Sequence, residues 1–143
     1  MMSLTNQLLI LLGATTISYV ADLSSINYEC SERPISTQIL HFFHHFINMY
    51  GLFGWLFTNK ILLGIYVFVP VLVVIHQHIF YKHKCEVTEY VNAQCNIKNG
   101  DVLRDLFYFL KIKSAAKRGK VFTSYNLYLL ITWLIGVYKF AVI

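Results

Sequence analysis

Residues 38–81 read QILHFFHHFINMYGLFGWLFTNKILLGIYVFVPVLVVIHQHIFY, and apart from Lys60 they carry no formal charge. A bilayer's hydrocarbon core is about 30 Å thick and an α-helix rises about 1.5 Å per residue, so roughly 20 apolar residues cross it. The stretch is about twice that length and is broken only at Asn59-Lys60. It therefore predicts two transmembrane helices, Gln38 to Asn59 and Ile61 to Tyr81, folded back to back as an antiparallel hairpin. Pro70, inside the second, removes one intrahelical hydrogen bond and bends the rod, which neighbouring helices can compensate in a membrane. Gly51, Gly54 and Gly64 cluster near the turn and permit close backbone approach.

The rest of the chain belongs to the same class. Apolar residues make up 57% of the 143 positions and charged residues 13%, and the mean hydropathy is +0.54. Such a composition is too apolar for an ordinary soluble domain of this size. Two further apolar runs, Ser3 to Ala21 and Val121 to Ile143, complete an expected all-α polytopic membrane protein with about four transmembrane helices, one domain over residues 1–143. The first run also has a signal-peptide reading. Met1 to Asn6 holds no Lys or Arg, and Tyr19 and Ala21 fit the small-x-small cleavage rule poorly, so the retained helix is preferred.

Four spans put the polar segments 22–37 and 82–120 on one side. That side holds Arg33, Lys82, Lys84, Lys98, Arg104, Lys111, Lys113, Lys117, Arg118 and Lys120, against Lys60 and Lys139 on the other. Because cytoplasmic loops carry the basic excess, the loops are expected in the cytosol and both termini across the membrane. Asp101 to Lys113 places its acids early and its bases late around a short apolar run, as an interfacial amphipathic helix does. Lys111, Lys113, Lys117, Arg118 and Lys120 then stand directly before the last span, where they suit anionic lipid headgroups. They also serve as a plain positive stop for that helix. Nucleic acid is the poorer partner for these charges, for want of aromatic interleaving or a recognition fold.

His41, His44, His45 and Asn48 follow i, i+3, i+4, i+7 spacing and share one helical face. Counted outward from the turn, His44 and His45 on one helix and His76 on the other both lie about 23 Å away, and His41 matches His78 one turn further out. Imidazoles at equal depth on paired helices can ligate a transition metal or a haem iron. The structural alternative is that these amphipathic side chains hydrogen-bond across helices near the interface. His41-Phe42-Phe43-His44-His45 resembles one His-x-x-His-His box of the membrane fatty-acid desaturases. That family uses several such boxes, whereas this chain has six histidines in all, which argues against a di-iron oxygenase.

Cys30, Cys85 and Cys95 fall in the loop-side segments, where a reducing cytosol would keep them as thiols. With the opposite orientation, a Cys85 to Cys95 disulfide becomes feasible. His44 or His45, Gly54-Trp55, a helix with Pro70 and His76, and Cys85-Glu86-Val87-Thr88-Glu89-Tyr90 resemble a family of small uncharacterised polytopic membrane proteins. Its members occur in bacteria and, as variants, in large DNA viruses. The family signature is Cys-x-Leu-Thr-x-x-Glu; this chain has Val87 for the leucine and Val91 where the glutamate belongs. The resemblance covers roughly residues 40–95 and implies a compact helical membrane protein without an assigned activity.

Three functional expectations follow. The first is a non-enzymatic integral membrane protein that organises a membrane or binds membrane or capsid proteins, including a virion-membrane role suggested by the viral variants. Its support is the absence of any visible nucleophile-base-acid set or glycine-rich phosphate loop. The second is a haem- or metal-binding protein using His44 or His45 with His76, and His41 with His78 as further candidate ligands. The third is a small proton or cation channel with titrating histidines, weakened by the lack of acidic residues within the expected spans.

Overall fold

The computed structural model describes residues 3–25, 34–80, 115–143 and positions 87, 90, 93 and 94, with the side chains at 24, 25, 74, 76–80 and 115–122 outside that description. Among the described residues there are four α-helices and no strands: α1 (Leu4–Ser25), α2 (Ile35–Phe53), α3 (Lys60–Phe80) and α4 (Ala115–Val142). The all-α expectation holds at this level. Two helices, Leu4–Leu23 and Thr123–Val142, are long and apolar enough to cross a membrane, each with mean hydropathy 1.3. That is fewer than the four expected. In α2, which is shorter than the predicted span, His41, His44, His45, Gln38 and Asn48 dilute the apolar character, and α3 contributes the shorter apolar stretch Lys60–Val73.

Local chemistry sets the helix boundaries. At the start of α1, Ser3 Oγ accepts a hydrogen bond from the Asn6 backbone N–H at 3.2 Å, satisfying one of the orphan donors of the first turn. Pro34 precedes α2 in an extended conformation, φ −54° and ψ 146°, and its carbonyl receives the Gln38 N–H at 3.2 Å. A proline tolerates the first turn because its missing N–H would go unused there. Asn59 caps α3, its Oδ1 accepting from the N–H groups of Ile61 at 3.0 Å and Leu62 at 3.2 Å.

The connection between α2 and α3 is longer than two residues. α2 ends at Phe53, a 3-10 turn occupies Gly54–Leu56, and Phe57 is extended before α3 begins at Lys60. This corrects the expected hairpin. α2 packs closely along α1, α3 packs along α4, and α2 meets α3 only sparsely. The wider turn lets each helix choose its partner by surface chemistry: α2 turns His41 and His45 toward the polar face of α1, and α3 turns its aromatic face toward α4.

Both chain ends grip this turn. Gln7 Nε2 donates to Thr58 Oγ1 at 2.9 Å while Gln7 Oε1 accepts the Thr58 N–H at 3.1 Å. From the other end of the sequence, Lys139 Nζ donates to the carbonyls of Trp55 at 2.7 Å and Phe57 at 2.9 Å. The start of α1, the turn and the end of α4 therefore share one end of the bundle. The α1–α2 and α3–α4 connections leave from the opposite end.

Tyr66 is the centre of the α3–α4 seam. Its side chain is 2% exposed, its hydroxyl donates to Thr132 Oγ1 at 3.1 Å, and its ring lies between Gly54 and Gly136. A β-carbon at Gly54 would overlap the ring, and one at Gly136 would stand 2.7 Å from Cε1, so both positions admit the ring only as glycine. Gly64 serves the same end against Phe140, whereas Gly51 faces nothing closer than Leu129 Cδ2 at 3.9 Å. Pro70 leaves the Tyr66 carbonyl without its helical donor, and in the same turn the Val67 carbonyl accepts Trp133 Nε1 at 2.9 Å. Leu11, Tyr50, Phe57, Leu63, Tyr66 and Val67 form the buried apolar cluster, and Tyr50 donates its hydroxyl to the Leu62 carbonyl.

Candidate metal centre

α1 carries an unusual stripe for so apolar a helix. Gln7, Leu11, Thr15 and Asp22 are all less than one-tenth exposed, and Ser18 lies on the same face. α2 answers with Thr37, His41 and His45 at i, i+4 and i+8, also buried. The two stripes face each other in antiparallel register, Ser18 beside His45 and Asp22 beside His41. Polar side chains thus meet in the seam while Leu9, Ile10, Ile17, Ile39 and Phe43 point outward.

Within the seam three ligand-type atoms converge. His41 Nε2 lies 2.7 Å from Asp22 Oδ2, His45 Nε2 lies 3.2 Å from the same oxygen, and the two Nε2 atoms are 3.3 Å apart. The exposures of His41, His45 and Asp22 are 2%, 4% and 7%. The Tyr19 ring stands edge-on to both imidazoles, at centroid distances of 5.3 Å and 5.9 Å, and closes one side of the cluster. On the far side of His45, Ser18 Oγ is 2.8 Å from Nδ1.

This geometry suits a first-row divalent metal. With metal–ligand bonds of about 2.0–2.1 Å, neighbouring ligands of a tetrahedral site stand about 3.3 Å apart. Two of the three separations match, and the third, His41 to Asp22, has to open by about 0.6 Å, roughly the difference between a hydrogen bond and a shared metal. Ser18 completes the fit. A histidine that ligates through Nε2 carries its proton on Nδ1 and needs an acceptor there, and a serine oxygen can accept. Without metal the same hydroxyl can donate to a bare Nδ1 while Nε2–H donates to Asp22. Neutral imidazoles with a carboxylate carry one net negative charge, which in an apolar seam needs a proton or a cation beside it.

The sequence candidates fare unequally. His41 and His45 join the cluster. His44 does not: it is partly exposed and meets His45 only ring to ring at 6.2 Å. The side chains of His76 and His78, of Lys117, Arg118 and Lys120, and all of Lys111 and Lys113 lie outside the described residues, as do Cys30, Cys85, Cys95 and the Asp101–Lys113 segment. Asp22 and Ser18 were missed. The apolar run stops at Ala21 and so assigns Asp22 to a connection, yet α1 continues to Ser25. The usable signal was the repeat of one spacing, Ser18/Asp22 and His41/His45, in adjacent helices. A haem held between His44 or His45 and His76 needs the His76 side chain, which lies outside the described residues.

Comparison with family models, curated proteins and solved structures finds no match. The reading of the chain therefore rests on the geometry above.

Proposed function

We propose that this chain is an integral membrane protein that binds one divalent transition-metal ion between α1 and α2, through Asp22, His41 and His45. The observation that carries the reading is the convergence of two Nε2 atoms and one carboxylate oxygen within 3.3 Å in a buried seam. A mixed nitrogen and oxygen donor set favours Zn(II), Co(II), Ni(II) or Fe(II) over Ca(II) or Mg(II), which prefer oxygen. α1 is retained in this reading, since Ser18 and Asp22 belong to the centre.

The membrane setting is supported by the two helices long enough to cross a bilayer and by the apolar residues that clothe the bundle, among them Leu9, Ile17, Ile61 and Leu72. All four helices line up as spans in this reading. The end from which both long connections leave carries the basic excess and faces the cytosol, with lysines 111, 113, 117 and 120 and Arg118 at anionic headgroups. The centre then lies near the cytosolic leaflet. The resemblance to small polytopic membrane proteins of bacteria and large DNA viruses is compatible with this reading; no observation favours a virion or capsid role.

Metal analysis of the full chain purified in mild detergent tests the proposal. About one equivalent of metal after equilibration with Zn(II), reduced to background in Asp22→Asn and His45→Gln with helicity unchanged, is expected. Background metal in the unmodified protein, with no cobalt ligand-field absorption on titration, overturns it and leaves the cluster as a buried proton-sharing triad.

A further inference from the structure

Thr37 is fully buried at 0% exposure, and its Oγ1 has no hydrogen-bond partner among the described residues. Three other threonines within the helices behave differently. Thr15 donates to the Leu11 carbonyl at 2.8 Å, Thr16 to Leu12 at 2.8 Å, and Thr132 to Tyr128 at 2.9 Å. Back-bonding of this kind is the ordinary way to satisfy a hydroxyl in an apolar helix. An unsatisfied buried hydroxyl is destabilising, so its retention points to a group it serves.

The position of Thr37 says which group. It lies one helical turn before His41 on the same stripe, about 6 Å along the axis. The register that sets Ser18 beside His45 and Asp22 beside His41 puts Thr37 opposite the last turn of α1, at the side of the cluster away from Ser18. Three protein ligands leave a four-coordinate metal with one further position. Among the described side chains, Ser18 and the His45 ring occupy one side and Tyr19 covers another, which leaves the fourth position to the Thr37 side.

We infer that the fourth position of the proposed centre is an exchangeable one, filled by a water-derived oxygen ligand that hydrogen-bonds to Thr37 Oγ1 and can be replaced by a small monodentate anion. The inference rests on the metal reading and extends it: the centre is open, as in sites that act on a bound ligand, rather than closed by four protein groups. Thr37 is a positioning residue there, and touches the ligand rather than the metal.

Cobalt-loaded full chain in detergent, titrated with azide, tests it. In the unmodified protein the cobalt ligand-field bands appear on loading and then shift with azide. Thr37→Val, which keeps the shape and removes the hydroxyl, still gives azide-sensitive cobalt bands but binds cobalt about 5- to 10-fold more weakly, the worth of the one hydrogen bond lost to the ligand in the fourth position. Thr37→Ser restores the cobalt affinity. Bands that form but ignore azide show a closed centre and overturn the inference while leaving the metal reading intact, and equal cobalt affinity in Thr37→Val overturns the role of Thr37. Absence of cobalt bands altogether removes the metal reading and the inference with it.

Discussion

The two helix pairs solve one packing problem in opposite ways. α3 and α4 meet through an aromatic ring seated between glycines, with its hydroxyl on Thr132. α1 and α2 meet through Ser18, Asp22, His41 and His45, with the Tyr19 ring edge-on to both imidazoles. The first seam is what stability alone selects, since interiors close-pack and glycine admits a large ring. The second is expensive. Buried ionisable groups seldom outperform apolar residues of the same volume, so their presence calls for a role beyond holding helices together.

The comparison breaks most visibly at the carboxylate. Asp22→Asn keeps the shape but removes the charge, and metal affinity is expected to fall at least about 100-fold, measured by competition with a chromophoric chelator. Replacing Asp22, His41 and His45 together by leucine sharpens the point. That triple variant is expected to bind no metal yet to unfold in detergent at the same or higher denaturant concentration than the parent. Marked destabilisation would instead make the polar seam structural.

In the aromatic seam, Gly136→Val drives a branched side chain into the Tyr66 ring and is expected to cost about 1–3 kcal/mol or more in reversible unfolding, with metal affinity unchanged until the fold is lost. Ser18→Ala removes the Nδ1 partner of His45 and is expected to weaken metal binding about 10-fold and to cost the metal-free fold about 1–3 kcal/mol, since the buried ring nitrogen loses its partner in both states. The smallest effect has the opposite sign. Thr37→Val relieves an unsatisfied hydroxyl and should stabilise the metal-free protein by about 1 kcal/mol, read as a small rise in its unfolding midpoint.

Part of this was legible in the residues. The spacing of His41 and His45 gave their shared face without reference to any partner, and the polar break at Asn59-Lys60 marked where α3 begins, though the cap that Asn59 provides there was not read from the residues. The partner of that face was not legible. It depended on the turn, and the apolar run through Gly54, Trp55, Leu56 and Phe57 hides the point at which the helix stops and a 3-10 turn begins. Hydropathy also cannot distinguish Asp22 ending a helix from Asp22 inside it, because only the facing imidazoles make the buried position tolerable. Gly54 was noticed for its size, but its need came from Tyr66 on another helix, as did that of the unremarked Gly136.

The clasp of Gln7 and Lys139 on residues 54–59 joins regions 132 positions apart in sequence through one short connection. Damage near either terminus is consequently registered at the same place. Trimming beyond Gln7 and trimming back past Lys139 should loosen the same carbonyls and the same threonine, so that two unrelated truncations yield one phenotype, and a tag fused at one end is best judged by what it does to the grip of the other.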